Sequence, residues 1–526
     1  MTLSAGAEGA RGGLRSVTRG TFIMLLGTLG FVAEGFLSRV ILYRGLAADE
    51  FGLFTFAFAL GAVLSAFGAL GIPSAVARNL PYSQSDDERR AIVRTSLLVT
   101  ILSASLIAFG LLGAGLALGF LFHHPLEGVT LDLFSVAVGL SIVSGTVASI
   151  FQGYEDVRPN AIFVQVVNPA LFIAFLLIAL YALPEGASFL GALVGYALAG
   201  ALTILGLYLY ARRRLPRLLP PGPRAGGVAR RLLGFALPLF AVGTLGALSN
   251  NGDTIVLGFF RGGAIGAYTA DLPLARLLQV GLGSLAYIFL PVAARYVRDR
   301  NDEAVRITYA TATKWVSVTS LPLFLVLFFL PGRSLGFVYG LANTPAAVPL
   351  QILVAGAFVS TLVGPASATQ VSYGETRLLL YNTAAAAAAD IGLSLVLIPA
   401  LGLPGAAIAW AVGAALQPVL SMVELAALHG VHPFRRHYLI PLVVTALPLG
   451  AVFALAPFTP PIWTLPVLAV GIVLLFVLVV LFSGSLDDGD RLLLEAVEAL
   501  LNRRLRLVRR VGAWCLRLRR TGRVGG

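Results

Sequence analysis

The sequence predicts an all-α polytopic membrane protein with fourteen transmembrane helices. Three observations predict it. The 526 residues are 58% hydrophobic and 12% charged, with a mean hydropathy of +0.88, whereas a soluble domain carries about 25% charged residues. Fourteen apolar stretches have the length that a helix needs to cross a bilayer, about 20 residues. Finally, the basic residues alternate: 32 of the 38 fall in every second gap between apolar stretches, starting at the N-terminus. Arg44, Arg261 and Arg333 lie in the opposite gaps, and Arg39, Arg276 and Lys314 lie inside apolar stretches. Positive charge resists translocation, so this bias predicts that both termini are cytoplasmic, in the plasma membrane of the cell.

The stretches run over 18–43, 51–77, 92–121, 131–152, 160–182, 188–210, 232–259, 264–292, 305–330, 346–371, 377–399, 404–427, 438–457 and 462–482. Helices rather than barrel strands follow from length, since a strand needs only about 10 alternating residues. The expected organisation is an N-terminal six-helix lobe over 1–214, a basic cytoplasmic linker over 215–231 and a second six-helix lobe over 232–430. Two further helices occupy 431–483, and a cytoplasmic tail occupies 484–526. Seven Arg and four Pro fall within Ala211–Arg231, as suits a linker. In the tail, Leu493, Val497, Leu500, Leu501, Val508, Val511 and Trp514 recur at helical spacing among ten Arg. That pattern predicts an amphipathic helix on the anionic inner leaflet. Pro169, Pro238, Pro273, Pro365 and Pro418 fall in or near the stretches and are expected to kink them.

The two halves echo each other. Phe51-Gly52-Leu53-Phe54-Thr55 is matched 214 residues later by Ile265-Gly266-Ala267-Tyr268-Thr269. Gly191-Ala192-Leu193-Val194 is matched at the same offset by Gly405-Ala406-Ala407-Ile408. Six stretches per half give both halves the same orientation, so the repeats are parallel, an arrangement suited to rocking about a central site.

Charges inside the spans are the candidate functional groups, because each costs at least about 2.5–3.5 kcal/mol at the bilayer centre and faces a cavity or a partner. Glu34, Arg276, Lys314 and Asp390 fall near mid-depth; Arg39, Asp253 and Asp271 fall in the outer half. Arg39 and Asp253 each lie 13 residues before the matched glycines Gly52 and Gly266, with opposite charge. This predicts an outer gate closed by the pair, the alternative being local neutralisation of each. Glu34 and Arg39, five apart on one helix, fit the side-chain contact spacing poorly. Arg276 and Lys314 read as a cationic patch that a diphosphate would seek. A structural pair with Asp271 or Asp390 is the alternative. Asp390 reads as a coupling carboxylate for a proton or sodium ion.

Several chemistries are excluded. The only lysine, Lys314, follows Tyr309-Ala310-Thr311-Ala312-Thr313, so no phosphate-binding glycine loop precedes it. Gly332-Arg333-Ser334-Leu335-Gly336 has the letters of a nucleophile elbow but lies in a short outer gap, without the strand–turn–helix setting. Neither a metal site nor a cofactor is expected, and no enzymatic activity. The net charge of +13 is spread over loops with no basic domain for a duplex, so nucleic acid is not an expected partner.

The run from Arg39 to Arg44, Ala48-Asp49-Glu50-Phe51-Gly52-Leu53-Phe54, Leu70-Gly71-Ile72 and Arg78 resembles polysaccharide-export flippases of the Wzx type. These belong to the multidrug/oligosaccharidyl-lipid/polysaccharide exporter superfamily. Asp253 through Phe260 and Ile265-Gly266-Ala267-Tyr268 carry the resemblance in the second half. It covers about residues 15–430. It implies two six-helix bundles in a V shape with two extra helices, and a lipid-linked oligosaccharide turned from the cytoplasmic to the outer leaflet. It also implies that cationic cavity residues meet the diphosphate, a role open to Arg276, Lys314 and Arg39. Glu34, Asp253, Asp271 and Asp390 are left for gating or ion coupling. Glycan-biosynthesis proteins are the implied partners. A multidrug or cation antiporter of the same superfamily, and a flippase for the peptidoglycan precursor lipid, are the competing readings.

Overall fold

The computed structural model describes residues 30, 32–83, 85–121, 125–154, 156–214, 226–261, 265–340, 347–455, 461 and 464–482. The expected amphipathic tail and the centre of the basic linker lie outside these. Among the described residues the chain is all helix and turn, with no strand. The elements are α1 (32–45), α2 (Ala48–Gly68), α3 (Ile72–Asn79), α4 (Asp86–Leu121), α5 (Pro125–Gly153), a π-helix (Asn160–Val167) running into α6 (Asn168–Tyr181), and α7 (Ser188–Arg214). Then follow α8 (Gly226–Arg261), α9 (Ile265–Arg298), α10 (Asp302–Phe329), α11 (Pro331–Tyr339), α12 (Ala347–Leu362), α13 (Ala366–Ser372), α14 (Thr376–Leu401), α15 (Leu403–His429), α16 (Arg436–Leu455) and α17 (Leu465–Phe482). Nine helical spans among the described residues are long and apolar enough to cross a membrane, ten if bent α10 counts as one span. This is a multi-pass membrane protein.

Helix ends follow local chemistry. The Glu50 carboxylate reaches back to the Ala47 N–H at 3.1 Å, and Asp49 and Glu50 sit in the first turn of α2, where the helix dipole favours them. Ser85 accepts from the Glu88 N–H at 3.2 Å at the start of α4. Asn301 caps α10 by accepting from the Ala304 N–H at 3.0 Å. Gly340 and Gly430 close α11 and α15 in the left-handed conformation.

Two apolar stretches are interrupted where a single span was expected, and a third changes its helix type along its length. The second breaks between α2 and α3, where Leu70 and Gly71 both take positive φ. Gly71 is needed twice over: its φ is +68°, and a Cβ there would collide with the Ala236 carbonyl of α8. The tenth breaks between α12 and α13 at Val363–Pro365, with Pro365 preceding the first residue of α13. The fifth opens as a π-helix just before Pro169, whose ring cannot donate to the preceding turn. In addition α10 bends by 40° between Ser317 and Ser320, just ahead of Pro322, whose ring crowds the carbonyl four residues earlier. Pro238 and Pro418 lie within continuous helices.

Packing divides the chain into two compact units, Met1–Thr269 and Ala270–Gly526. In the first, α4 packs along α5, α6 along α7, and α2 against α5 and α8. Its apolar core gathers Ile72, Val76 and Leu80 of α3 with Ile92, Ile150 and Leu232. In the second, α14 packs along α15, and α12 against α15 and α10. Leu321 and Leu325 of α10 bury against Leu465, Ile472 and Phe476 of α17, so the last two helices dock on α10.

Candidate functional site

In the first unit, the charges of the first span meet aromatic rings of α2 and α7. Glu34 and Arg39 are both half-buried on α1. Ser38 and Arg39 both lie within electrostatic reach of Glu34, and the Ser38 hydroxyl donates to the Gly35 carbonyl at 3.5 Å. The Arg39 guanidinium lies 5.7 Å from the centre of the Phe58 ring. Phe58 meets Tyr196 of α7 at 6.0 Å and 60°, and Glu34 lies within electrostatic reach of Tyr196. Behind them Phe54, Phe134 and Phe172 are buried and pack on Tyr196 with ring centres 5.2–6.1 Å apart. Glu34 and Arg39, which fit no helical contact spacing, thus share one corner because neighbouring helices bring rings to both.

The matched segments of the two halves touch. The Thr55 and Thr269 hydroxyls hydrogen-bond at 3.0 Å. A Cβ on Gly52 would lie 3.2 Å from the Gly266 nitrogen, and one on Gly266 2.8 Å from the Ala48 carbonyl. Each glycine and threonine therefore faces its own counterpart, 214 residues away. Small residues let the backbones come this close. Beside the crossing, Asp253 is fully buried and accepts a hydrogen bond from the Tyr268 hydroxyl.

In the second unit, Lys314 and Asp390 are each 1% exposed and Asp271 is 0% exposed, so none of the three faces lipid. No residue among those described hydrogen-bonds either Asp271 carboxyl oxygen. Arg276 is half-buried on α9. Asp390 of α14 packs against Gly413 of α15, where a Cβ would come within 2.9 Å of its own Cβ. Lys314 sits on α10 between Thr313 and Ser317, both fully buried; the Ser317 hydroxyl donates to Tyr438 at 3.3 Å.

Two acidic residues inside spans join those read from the sequence. Glu424 of α15 is half-buried and accepts from Asn382 at 2.7 Å and from Gln370. Asp132, at the start of the fourth span, packs against Gly115 of α4. Both obey the rule that picked out Asp390, one charge within an apolar stretch, and could have been found by it. Phe58 and Tyr196 carried no such signal. The letters of the nucleophile elbow lie on helix α11, where the Ser334 hydroxyl is buried and donates to the Leu330 carbonyl at 2.9 Å. Among the described residues no group of three or more His, Cys, Asp or Glu gathers as a metal site would.

Outside the membrane, Glu303 accepts from Arg435 at 2.7 Å and pairs with Arg306 at 3.2 Å. The Arg435 hydrogen bond holds its carboxyl below the usual range. The Tyr373 hydroxyl donates to Asp302 at 2.7 Å, and the Tyr373 ring stacks on His429 at 4.0 Å.

Taken together, these features define a helical membrane protein whose spans hold charged and polar groups in their interior. The chain belongs to the polysaccharide biosynthesis protein family, whose sequence model matches residues 17–297. No protein of curated function matches the sequence. Its fold is similar to that of the lipid II flippase MurJ in an inward closed conformation, with a TM-score of 0.67 and 14% identity, covering 86% of this chain and 97% of that one. It is also similar to an inward-facing multidrug resistance MATE family transporter of the MOP superfamily, with a TM-score of 0.61 and 17% identity over 79% of this chain and 99% of that one. A MOP superfamily transporter from Pyrococcus furiosus gives a TM-score of 0.54 and 18% identity over 78% of this chain and 94% of that one.

Proposed function

We propose that this chain flips a lipid-diphosphate-linked oligosaccharide from the cytoplasmic to the outer leaflet by alternating access, for glycan export. The observation that carries the reading is the family match over 17–297 in a chain whose spans bury Lys314 and Asp390 and half-bury Glu34, Arg39 and Arg276. Arg276, Lys314 and Arg39 are the groups for the diphosphate and acidic sugars; Glu34, Asp253, Asp271 and Asp390 serve gating or ion coupling. Fourteen spans, two parallel six-helix lobes with two added helices, cytoplasmic termini and a plasma-membrane location complete the proposal, with glycan-biosynthesis proteins as partners. The contact of Thr55 with Thr269, at the offset of the sequence repeat, supports the parallel arrangement. The test is translocation of a labelled polyprenyl-diphosphate sugar in proteoliposomes. Efflux of cationic drugs without that activity would overturn the reading in favour of an antiporter, as the similarity to the MATE transporters would allow. Movement of the peptidoglycan precursor alone would favour the reading suggested by MurJ.

The outer gate is tested by charge exchange. Arg39→Asp and Asp253→Arg alone leave like charges at equivalent positions, and each is expected to abolish translocation. The double exchange is expected to recover it. A double variant no better than the singles rejects the pairing.

A further inference from the structure

We infer that the corner formed by Glu34, Arg39, Phe58 and Tyr196 is the site that reads the sugar portion of the substrate, an inference that rests on the flippase reading above. Two ring contacts join them, Arg39 with the Phe58 ring at 5.7 Å and Phe58 with Tyr196 at 6.0 Å, and Glu34 lies within electrostatic reach of Arg39 and Tyr196. All four are half-buried, so each keeps part of its surface for something else.

That something is not acyl chain. A carboxylate and a guanidinium on one span would cost several kcal/mol facing hydrocarbon, so this face of the first unit suits water or substrate. The rings are held rather than free to fold away. Tyr196 is backed by Phe54, Phe134 and Phe172, which are themselves buried. The result is a rigid wall of two rings at 60° edged by one acidic and one basic group.

A pyranose matches this combination better than a drug cation or a bare diphosphate. Its axial C–H groups carry slight positive charge and meet the negative face of a ring. Its hydroxyls both donate and accept, donating to a carboxylate and accepting from a guanidinium or a phenol. The Tyr196 phenol can both donate to and accept from a sugar hydroxyl. A drug cation would gain from Glu34 but be repelled by Arg39. A diphosphate would gain from Arg39 but be repelled by Glu34 and would have no use for the rings. The sugar is thus read by the two rings and the carboxylate of the first unit, with Arg39 at their edge.

The test measures binding of the full chain in detergent to undecaprenyl diphosphate and to the same lipid carrying N-acetylglucosamine, glucose or galactose. In the wild type at least one sugar is expected to tighten binding over the bare diphosphate. Tyr196→Leu should reduce that increment about tenfold, the weight of a good ring contact, while binding of the bare lipid is unchanged; Phe58→Leu, whose ring lies against Arg39, should reduce the increment similarly and weaken the bare lipid by a smaller factor. Tyr196→Phe, which keeps the packing of the ring, should reduce it by a smaller factor and guards against misfolding of the leucine variants. Three results overturn the inference alone: no increment for any sugar, an increment that survives all three substitutions, or equal losses for bare and glycosylated lipid. Failure of the wild type to bind any polyprenyl diphosphate overturns the flippase reading as well.

Discussion

At the scale of single residues, two glycines let the matched segments approach closely. Gly266 leaves no room for a side chain, because a Cβ would lie 2.8 Å from the Ala48 carbonyl, a backbone atom that cannot swing aside. Gly266→Val is therefore expected to lower stability by about 1–3 kcal/mol. Gly392→Ala, where nothing lies within 4 Å, is expected to leave the thermal unfolding temperature unchanged. The Thr55–Thr269 hydrogen bond beside them is worth less. Thr55→Val is expected to cost about 0.6 kcal/mol, the average for a bond between membrane helices. Detergent-solubilised unfolding of the three variants ranks these contributions, and a loss for Gly392→Ala as large as that for Gly266→Val would refute the close-approach argument. Not all such detail was open to sequence reading. Glu34 and Arg39 stood out because charge is rare in an apolar stretch. Phe58 and Tyr196 did not, because a ring that faces a ligand and a ring that faces lipid look alike in a row of letters.

At the scale of elements, the apolar stretches announced the helices, since some 20 apolar residues leave the backbone no partner but itself. Where a stretch changes direction was less visible. Gly71 breaks the second span because α8 passes too close for any side chain, a fact about a neighbour distant in sequence. Pro365 breaks the tenth, while Pro418, in a similar apolar setting, sits in an unbroken helix. Proline alone therefore did not say which. Beyond the membrane, the link from α15 to α16 is tied to the start of α10 by Arg435 and Glu303. Because Arg435 holds the Glu303 carboxyl below its ordinary range, the pair stabilises the fold fully above that range. Its contribution is lost as pH falls through the depressed folded value. Arg435→Ala is expected to remove that acid-side dependence and to cost under about 1 kcal/mol at neutral pH, as for an exposed pair. Unfolding temperatures measured from pH 7 down to pH 3.5 check both; an identical pH profile in the variant would reject the assignment.

At the scale of the whole molecule, the echo between the two halves of the sequence was legible as a near-constant offset around 214, and the structure adds that two matched pairs meet: Gly52 with Gly266 and Thr55 with Thr269. What letters could not show is which helices pack together; α8, which opens the second half of the sequence, packs on α2 and α3 within the first unit. A contact between counterparts is the kind that a twofold dimer makes with itself, the same patch supplying both sides. Here both copies of the patch are on one chain and can mutate separately. Neither can enlarge unless the other gives way, so across relatives of this protein the two glycines are expected to covary, small with small. The crossing would then preserve, inside a single polypeptide, the fit of a duplicated ancestor against its own twin.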